Sequence, residues 1–209
     1  MATRAVFLDA LGTLLDLEPP WVHLAPLLGR EPDEEQLVAA VRAEMAYYKE
    51  HSHEGGDPES LAELRERCAQ VISSHLDQPV TVEHLIDSVR FRPFPDVAPA
   101  LGALRDRGMR LLVVSNWDSS LPEVLRRSGL GGAVDEVVTS AEVGSRKPDP
   151  AIFDAALKLA GCRGSEALHV GDTAEEDVAG ARVAGIPALL LDREGGADIA
   201  SLTEIEGRL

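Results

Sequence analysis

Four short stretches carry the residues with chemical potential. In chain order they are Phe7-Leu8-Asp9-Ala10-Leu11-Gly12-Thr13-Leu14, Val114-Ser115-Asn116, Arg146-Lys147-Pro148-Asp149-Pro150 and Val170-Gly171-Asp172-Thr173-Ala174-Glu175-Glu176-Asp177. Three of them follow an apolar, strand-like run. That puts their polar residues at strand carboxyl ends, where open parallel sheets bind ligands. Asp9 offers a carboxylate nucleophile. The Thr13 and Ser115 hydroxyls, with loop N–H groups around Leu11 and Asn116, are donors suited to a phosphoryl group. Lys147 supplies a cation for the transferring group and for Asp9.

Asp172 and Asp177 add two carboxylates, so Lys147 alone faces three negative groups. Two unit charges about 4 Å apart repel by roughly 4 kcal/mol at an effective dielectric near 20. A further cation is therefore expected. An all-oxygen donor set, formed by Asp9, Asp172 and a backbone carbonyl near Leu11 with water, suits Mg²⁺. Taken singly, each residue has a plainer explanation. Asp9 could close a turn, Asp177 could favour a helix N-terminus, and Lys147 could be a solvated lysine. Their joint occurrence favours one combined site, which holds the equipment for phosphoryl transfer through an aspartyl intermediate.

The elements that must position these residues follow from hydropathy. Ala5 to Leu8, Leu111 to Val114, Val134 to Val138, Ala167 to Val170 and Ala188 to Leu191 read as buried strands. Helices lie between them. Ser120-Leu121-Pro122-Glu123 has a capping-box pattern, with Gly129 as its stop. Asp149-Pro150 opens a helix that closes near Gly161, and Thr173 caps one that ends at Gly185. Alternating strands and helices predict an α/β doubly wound, parallel, Rossmann-like sheet. From about Asp16 to Arg92 the rhythm breaks into two helical periodicities around a loop at His51 to Pro58. The spacing predicts a core over 1–15 and 94–209, and an inserted helical-bundle cap over 16–93. Pro19-Pro20 and Arg92-Pro93-Phe94-Pro95 are the expected linkers, with no strand between them. The tail beyond Asp192 carries little signal.

The 209 residues allow one large domain, or a core with an insert. The formal net charge of −16 argues against a nucleic acid or an anionic membrane as partner. Cys68 and Cys162 fit no metal or redox spacing. No run reaches the roughly 20 apolar residues of a membrane helix, and the N-terminus lacks a signal-peptide layout, so the expected location is cytoplasmic. Oligomeric state is left open.

These four motifs, in this order and over essentially the whole chain, resemble those of the haloacid dehalogenase-like hydrolases, in the subclass whose helical cap follows the first strand. The resemblance implies an Mg²⁺-dependent phosphatase acting on a small phosphate ester. Asp9, Thr13, Ser115, Asn116, Lys147 and Asp177 would be its catalytic residues. Asp9, Asp172 and the Leu11 carbonyl would be its metal ligands. One position departs. Most phosphatases of this family carry a second Asp two residues after the nucleophile, as general acid and base, and here it is Leu11. Acid–base help is worth about 10²–10⁴-fold. Either another residue substitutes (Asp118, His23, His51 or His53), or the leaving group needs no proton, as in an acyl or aryl phosphate. The main alternative is a 2-haloacid dehalogenase, with Arg42 as the halide-receiving cap residue. Against it, Asp172 stands where those enzymes carry an uncharged residue. A phosphonate-cleaving enzyme would need Lys49 as a Schiff base. A binding or scaffold protein with lost catalysis would not need so many like charges.

Overall fold

In a computed structural model, described for residues 2–30 and 32–209, the alternating apolar runs close into one sheet. Strand β1 (Ala5–Leu8) is its centre. The chain then forms β2 (Leu15–Leu17) and the helices α1 (Pro20–Leu24), α2 (Glu34–His51), α3 (Pro58–Leu76) and α4 (Val82–Ser88) before β3 (Phe91–Pro93). Beyond lie α5 (Val97–Asp106), β4 (Arg110–Ser115), α6 (Leu121–Arg127), β5 (Glu136–Thr139), α7 (Ser140–Val143) and α8 (Pro150–Ala160). The chain ends with β6 (Ala167–Gly171), a π-helical turn over Ala174–Ala179, α9 (Gly180–Val183) and β7 (Ala188–Leu190).

The sheet order is β5-β4-β1-β6-β7, and every pairing is parallel. The chain builds outward from β1 to β5 and then restarts on the other side with β6. The order therefore reverses at β1, and the crevice at such a reversal is where doubly wound sheets bind ligands. Strand periodicity divides the core. Val6, Leu8, Leu111 and Val113 pack on one face with α5, α6 and the C-terminal segment. Ala5, Phe7, Leu112 and Val114 pack on the other with α8. Both faces are covered, which is why these strands are apolar throughout rather than alternating.

The helical segment has its own core, built from Leu24, Leu37, Val41, Leu64, Cys68, Ile72 and Leu85. Its connections to the sheet correct the expected linkers. Leu15–Leu17 and Phe91–Pro93 pair as an antiparallel two-stranded ribbon, Leu15 opposite Pro93 and Leu17 opposite Phe91. The ribbon begins at Phe91, just before the expected Arg92–Pro95 linker that it overlaps, and stops short of Pro19. Three-residue strands show too little alternation to be read from sequence. β5 also begins at Glu136 rather than Val134. The tail is not inert. Leu202 and Ile205, in a 3₁₀ turn, are buried in the sheet's core. No helix among the described residues is long and apolar enough to cross a membrane.

Candidate active site

Asp9 leaves the end of β1 with its N–H donating to the Val170 carbonyl at 2.9 Å. Ser115, the last residue of β4, donates its hydroxyl to Asp9 Oδ1 at 3.0 Å. Lys147 Nζ donates to the same oxygen at 2.5 Å and to Asp177 Oδ1 at 2.6 Å. Asp9 Oδ2 accepts no hydrogen bond from the described residues, so one carboxylate oxygen is held and the other is open. All three side chains are almost completely buried. The expected pairing of nucleophile, hydroxyl and cation is thus brought together.

Asp177 is the saturated member of the group. Its Oδ1 also accepts from His169 Nε2 at 2.9 Å, and its Oδ2 from the Thr173 N–H at 3.0 Å. Burial works to raise it, but Lys147 and the His169 bond outweigh that and hold it well below the usual carboxylate range. Burial likewise opposes the charge on Lys147, and the two carboxylates beside it overcome the opposition and raise its pKa. Asp9 ends on the other side of the balance. Burial, with Asp177 and Asp172 adding to it, pushes its carboxyl up to about 7 despite Lys147. Asp172 is raised by burial and by Asp177.

One oxygen each of Asp9, Asp172 and Asp177 lies within 4.8 Å of the others. With Asp177 spent on Lys147, His169 and Thr173, the carboxylates with capacity left are Asp9 and Asp172. Three carboxylates against one lysine, and an all-oxygen donor set, fit a hard divalent cation. Gly12 makes the approach possible. Its φ is +81°, and a Cβ there would run into the Asp172 carboxylate. Thr13 Oγ1 is buried with no partner among the described residues. Such orphaned hydroxyls are rare in folded proteins.

The Asn116 side chain is bonded to the backbone of Lys147. Its Oδ1 accepts from the Lys147 N–H at 2.7 Å, and its Nδ2 donates to the Lys147 carbonyl at 3.1 Å. It clamps the peptide that carries the lysine. The expected acids are committed elsewhere. Asp118 Oδ1 accepts from the Ser120 N–H within the loop after β4, and its Oδ2 accepts from the Tyr48 hydroxyl of α2. His23 pairs with Glu18, His51 with Glu54, and His53 is exposed. Arg42 is exposed on α2, and Lys49 pairs with Glu176 at 3.1 Å.

Two residues escaped the sequence reading. His169 is a polar residue inside an otherwise apolar strand, and that interruption was its signal. Burial lowers its pKa despite the Asp177 bond, and Nδ1 has no partner among the described residues, so it serves as a neutral Nε2–H donor. Arg193, just past the last strand, donates to the Thr13 carbonyl at 2.7 Å and the Gly12 carbonyl at 3.4 Å. It also grips Asp96 at 2.9 and 3.0 Å. Its guanidinium lies 3.7 Å from the centroid of the Phe94 ring.

Fold and geometry define a doubly wound α/β protein with a carboxylate cluster at the strand carboxyl ends. The chain belongs to the haloacid dehalogenase-like hydrolase family, whose sequence model matches residues 3–185. It is 40% identical over 112 residues to a glyceraldehyde 3-phosphate phosphatase of Methanothermobacter thermautotrophicus, a match covering 53% of this chain and 50% of that protein. The match thus spans about half the length of that relative. Two solved structures cover almost all of this chain at 26% identity. A phosphatase of this family from Thermococcus onnurineus aligns over 99% of this chain and 97% of its own, with a TM-score of 0.71. A 2-haloacid dehalogenase from Pseudomonas syringae aligns over 98% and 97%, with a TM-score of 0.67.

Proposed function

We propose that the protein is a phosphatase that hydrolyses a small phosphate monoester through an aspartyl-phosphate on Asp9, with Mg²⁺ held by Asp9, Asp172 and the Leu11 carbonyl. The carrying observation is the division of labour at Asp9. Ser115 and Lys147 fix Oδ1, while Oδ2 is left without a donor. Asp9 attacks phosphorus in line with the leaving oxygen. Lys147 and Thr13 donate to the phosphoryl oxygens, Ser115 joins them by turning its one O–H from Asp9 to the bound phosphoryl group, and Asp177 and Asn116 keep Lys147 in place. The metal, when bound, offsets the surplus negative charge between the carboxylates and the phosphoryl group. The helices over 16–93 serve as a cap that shields the site from bulk water.

The same charge count weighs against dehalogenation. A haloacid brings a further carboxylate to Asp9, Asp172 and Asp177, and Arg42 is exposed, without a bond to the cluster. Because Leu11 cannot protonate a leaving group and Asp118 is committed to Tyr48, the substrates handled well are those whose leaving group departs as a stable anion.

The test is phosphate release from 4-nitrophenyl phosphate and acetyl phosphate with Mg²⁺ and with a chelator, beside chloride release from 2-chloropropionate. Metal-dependent phosphate release is expected. Asp9→Asn should lower it by about 10⁴–10⁶-fold, the scale of losing a covalent nucleophile, with the melting temperature retained. Activity surviving in Asp9→Asn would remove the nucleophile assignment. Metal-independent chloride release would replace the whole reading with dehalogenation.

A further inference from the structure

Leu11 is 38% exposed, and it opens onto a cavity of about 300 Å³. Leu17 and Pro19 line it from the ribbon side, and Trp21 and Met45 from the helical segment. Gly12 also borders it, and Gly12 is the residue packed against the Asp172 carboxylate. Gly12 is thus the residue shared by the cavity wall and the edge of the carboxylate cluster. Its one charged wall residue, Asp16, is already paired with Arg92 at 2.8 Å and 3.0 Å.

We infer that this cavity seats the leaving group, and that the substrate is an aryl or acyl phosphate carrying an apolar, ring-sized substituent. The inference rests on the phosphatase reading and deepens it. A cavity of about 150 Å³ is enough for benzene, so there is room for one ring with a short attachment. A polyhydroxylated or zwitterionic leaving group would meet Leu11, Leu17, Trp21 and Met45 instead of hydrogen-bond partners, and burying unpaired polar groups is costly. Sites that select such substrates are built to hydrogen-bond them. The wall and the missing acid point the same way. Leu11 removes the proton donor that an alkoxide needs, and it adds apolar surface where the leaving group must sit.

For an acyl phosphate the step balances without an acid. Asp9 Oδ2 forms a bond to phosphorus as the bond to the acyl oxygen breaks, and the carboxylate leaves with the electron pair. Water then attacks phosphorus, regenerating the Asp9 carboxylate and releasing dihydrogen phosphate.

The experiment compares acetyl phosphate with benzoyl phosphate, whose leaving groups both depart unprotonated and differ in apolar bulk. Titrations with methylphosphonate and phenylphosphonate, followed by calorimetry, give a readout that needs no turnover. The ring buries roughly 100 Å² more apolar surface, so benzoyl phosphate should be favoured by roughly 10–100-fold in kcat/KM, carried by KM, and phenylphosphonate should bind correspondingly tighter. Met45→Glu and Trp21→Ala should each bring the benzoyl-to-acetyl ratio towards unity. Phosphate release from both substrates with equal efficiency, or an acetyl preference, overturns the pocket assignment and leaves the phosphatase reading standing. Release from neither substrate overturns the phosphatase reading and the substrate class with it.

Discussion

Asp177 shares one oxygen between Lys147 and His169 and gives the other to the Thr173 amide. A carboxylate with three donors is neither a free base nor an open metal ligand; it is the anchor that aims Lys147 at Asp9. His169 belongs to that anchor as a neutral donor, which has a consequence in acid. Its folded pKa is lowered from the ordinary 6.5 by burial. Below pH 6.5 the unfolded chain binds a proton that the folded chain refuses, so this group costs stability as pH falls and costs nothing above it. His169→Gln keeps a donor and removes the titration. Its loss of unfolding free energy between pH 7.5 and 5.0 should be smaller than the parent's, with roughly 1.4 kcal/mol per pH unit as the ceiling. Urea unfolding at the two pH values measures it, and equal losses would mean that His169 is protonated in the fold. The chemical residues were legible because their types are unusual together. Which of them is spent was not, since Asp172 and Asp177 look alike in sequence and differ in burial and bonding.

At the next scale, the loop from Gly12 to Leu15 sets the distance between two carboxylates. Gly12 combines a φ of +81° with direct approach to Asp172. Gly12→Ala adds about 1–2 kcal/mol of backbone strain and a methyl group that pushes the Asp172 carboxylate out of the cluster. Mg²⁺ affinity and Mg²⁺-dependent turnover should fall by about tenfold or more while the protein stays folded, as a metal titration beside a thermal melt would show. Unchanged affinity would take Asp172 out of the metal site. The helix caps show where sequence signals stop at this scale. Ser120 and Thr173 read as caps, yet neither makes a side-chain cap bond. The Ser120 amide goes to Asp118 and the Thr173 amide to Asp177. A capping box would have sent those two amides to the Glu123 and Glu176 side chains. The opening at Asp149-Pro150 and the stop at Gly161 were legible, because Asp149 accepts from the Ala151 N–H and Gly161 takes the left-handed C-cap conformation.

Across the whole molecule, the helical segment and the sheet are joined by bonds beyond the ribbon. Tyr48 donates to Asp118 at 2.8 Å, the Ser119 N–H to the Gly55 carbonyl at 2.9 Å, and Lys49 pairs with Glu176. Tyr48→Phe leaves one oxygen of the buried Asp118 unpaired, at a cost of about 1–3 kcal/mol borne by this closed arrangement. Hydrogen exchange at the Ser119 amide should accelerate by roughly 5–100-fold, and an unchanged rate would show that the contact holds nothing shut. Arg193 makes the opposite point about distance, reaching from the tail to the carbonyls of Gly12 and Thr13. The sequence by itself determined the order of the motifs, the strand ends that carry them, the doubly wound sheet and the helical segment, because hydropathy periods and residue types are local properties. Only the tertiary structure decided that Lys147 serves both Asp9 and Asp177, that Asp118 is bound to Tyr48 and that Leu11 faces an apolar cavity. Pairing and burial depend on which surfaces meet, and chain separations as large as the 138 residues between Asp9 and Lys147 leave no local trace of that.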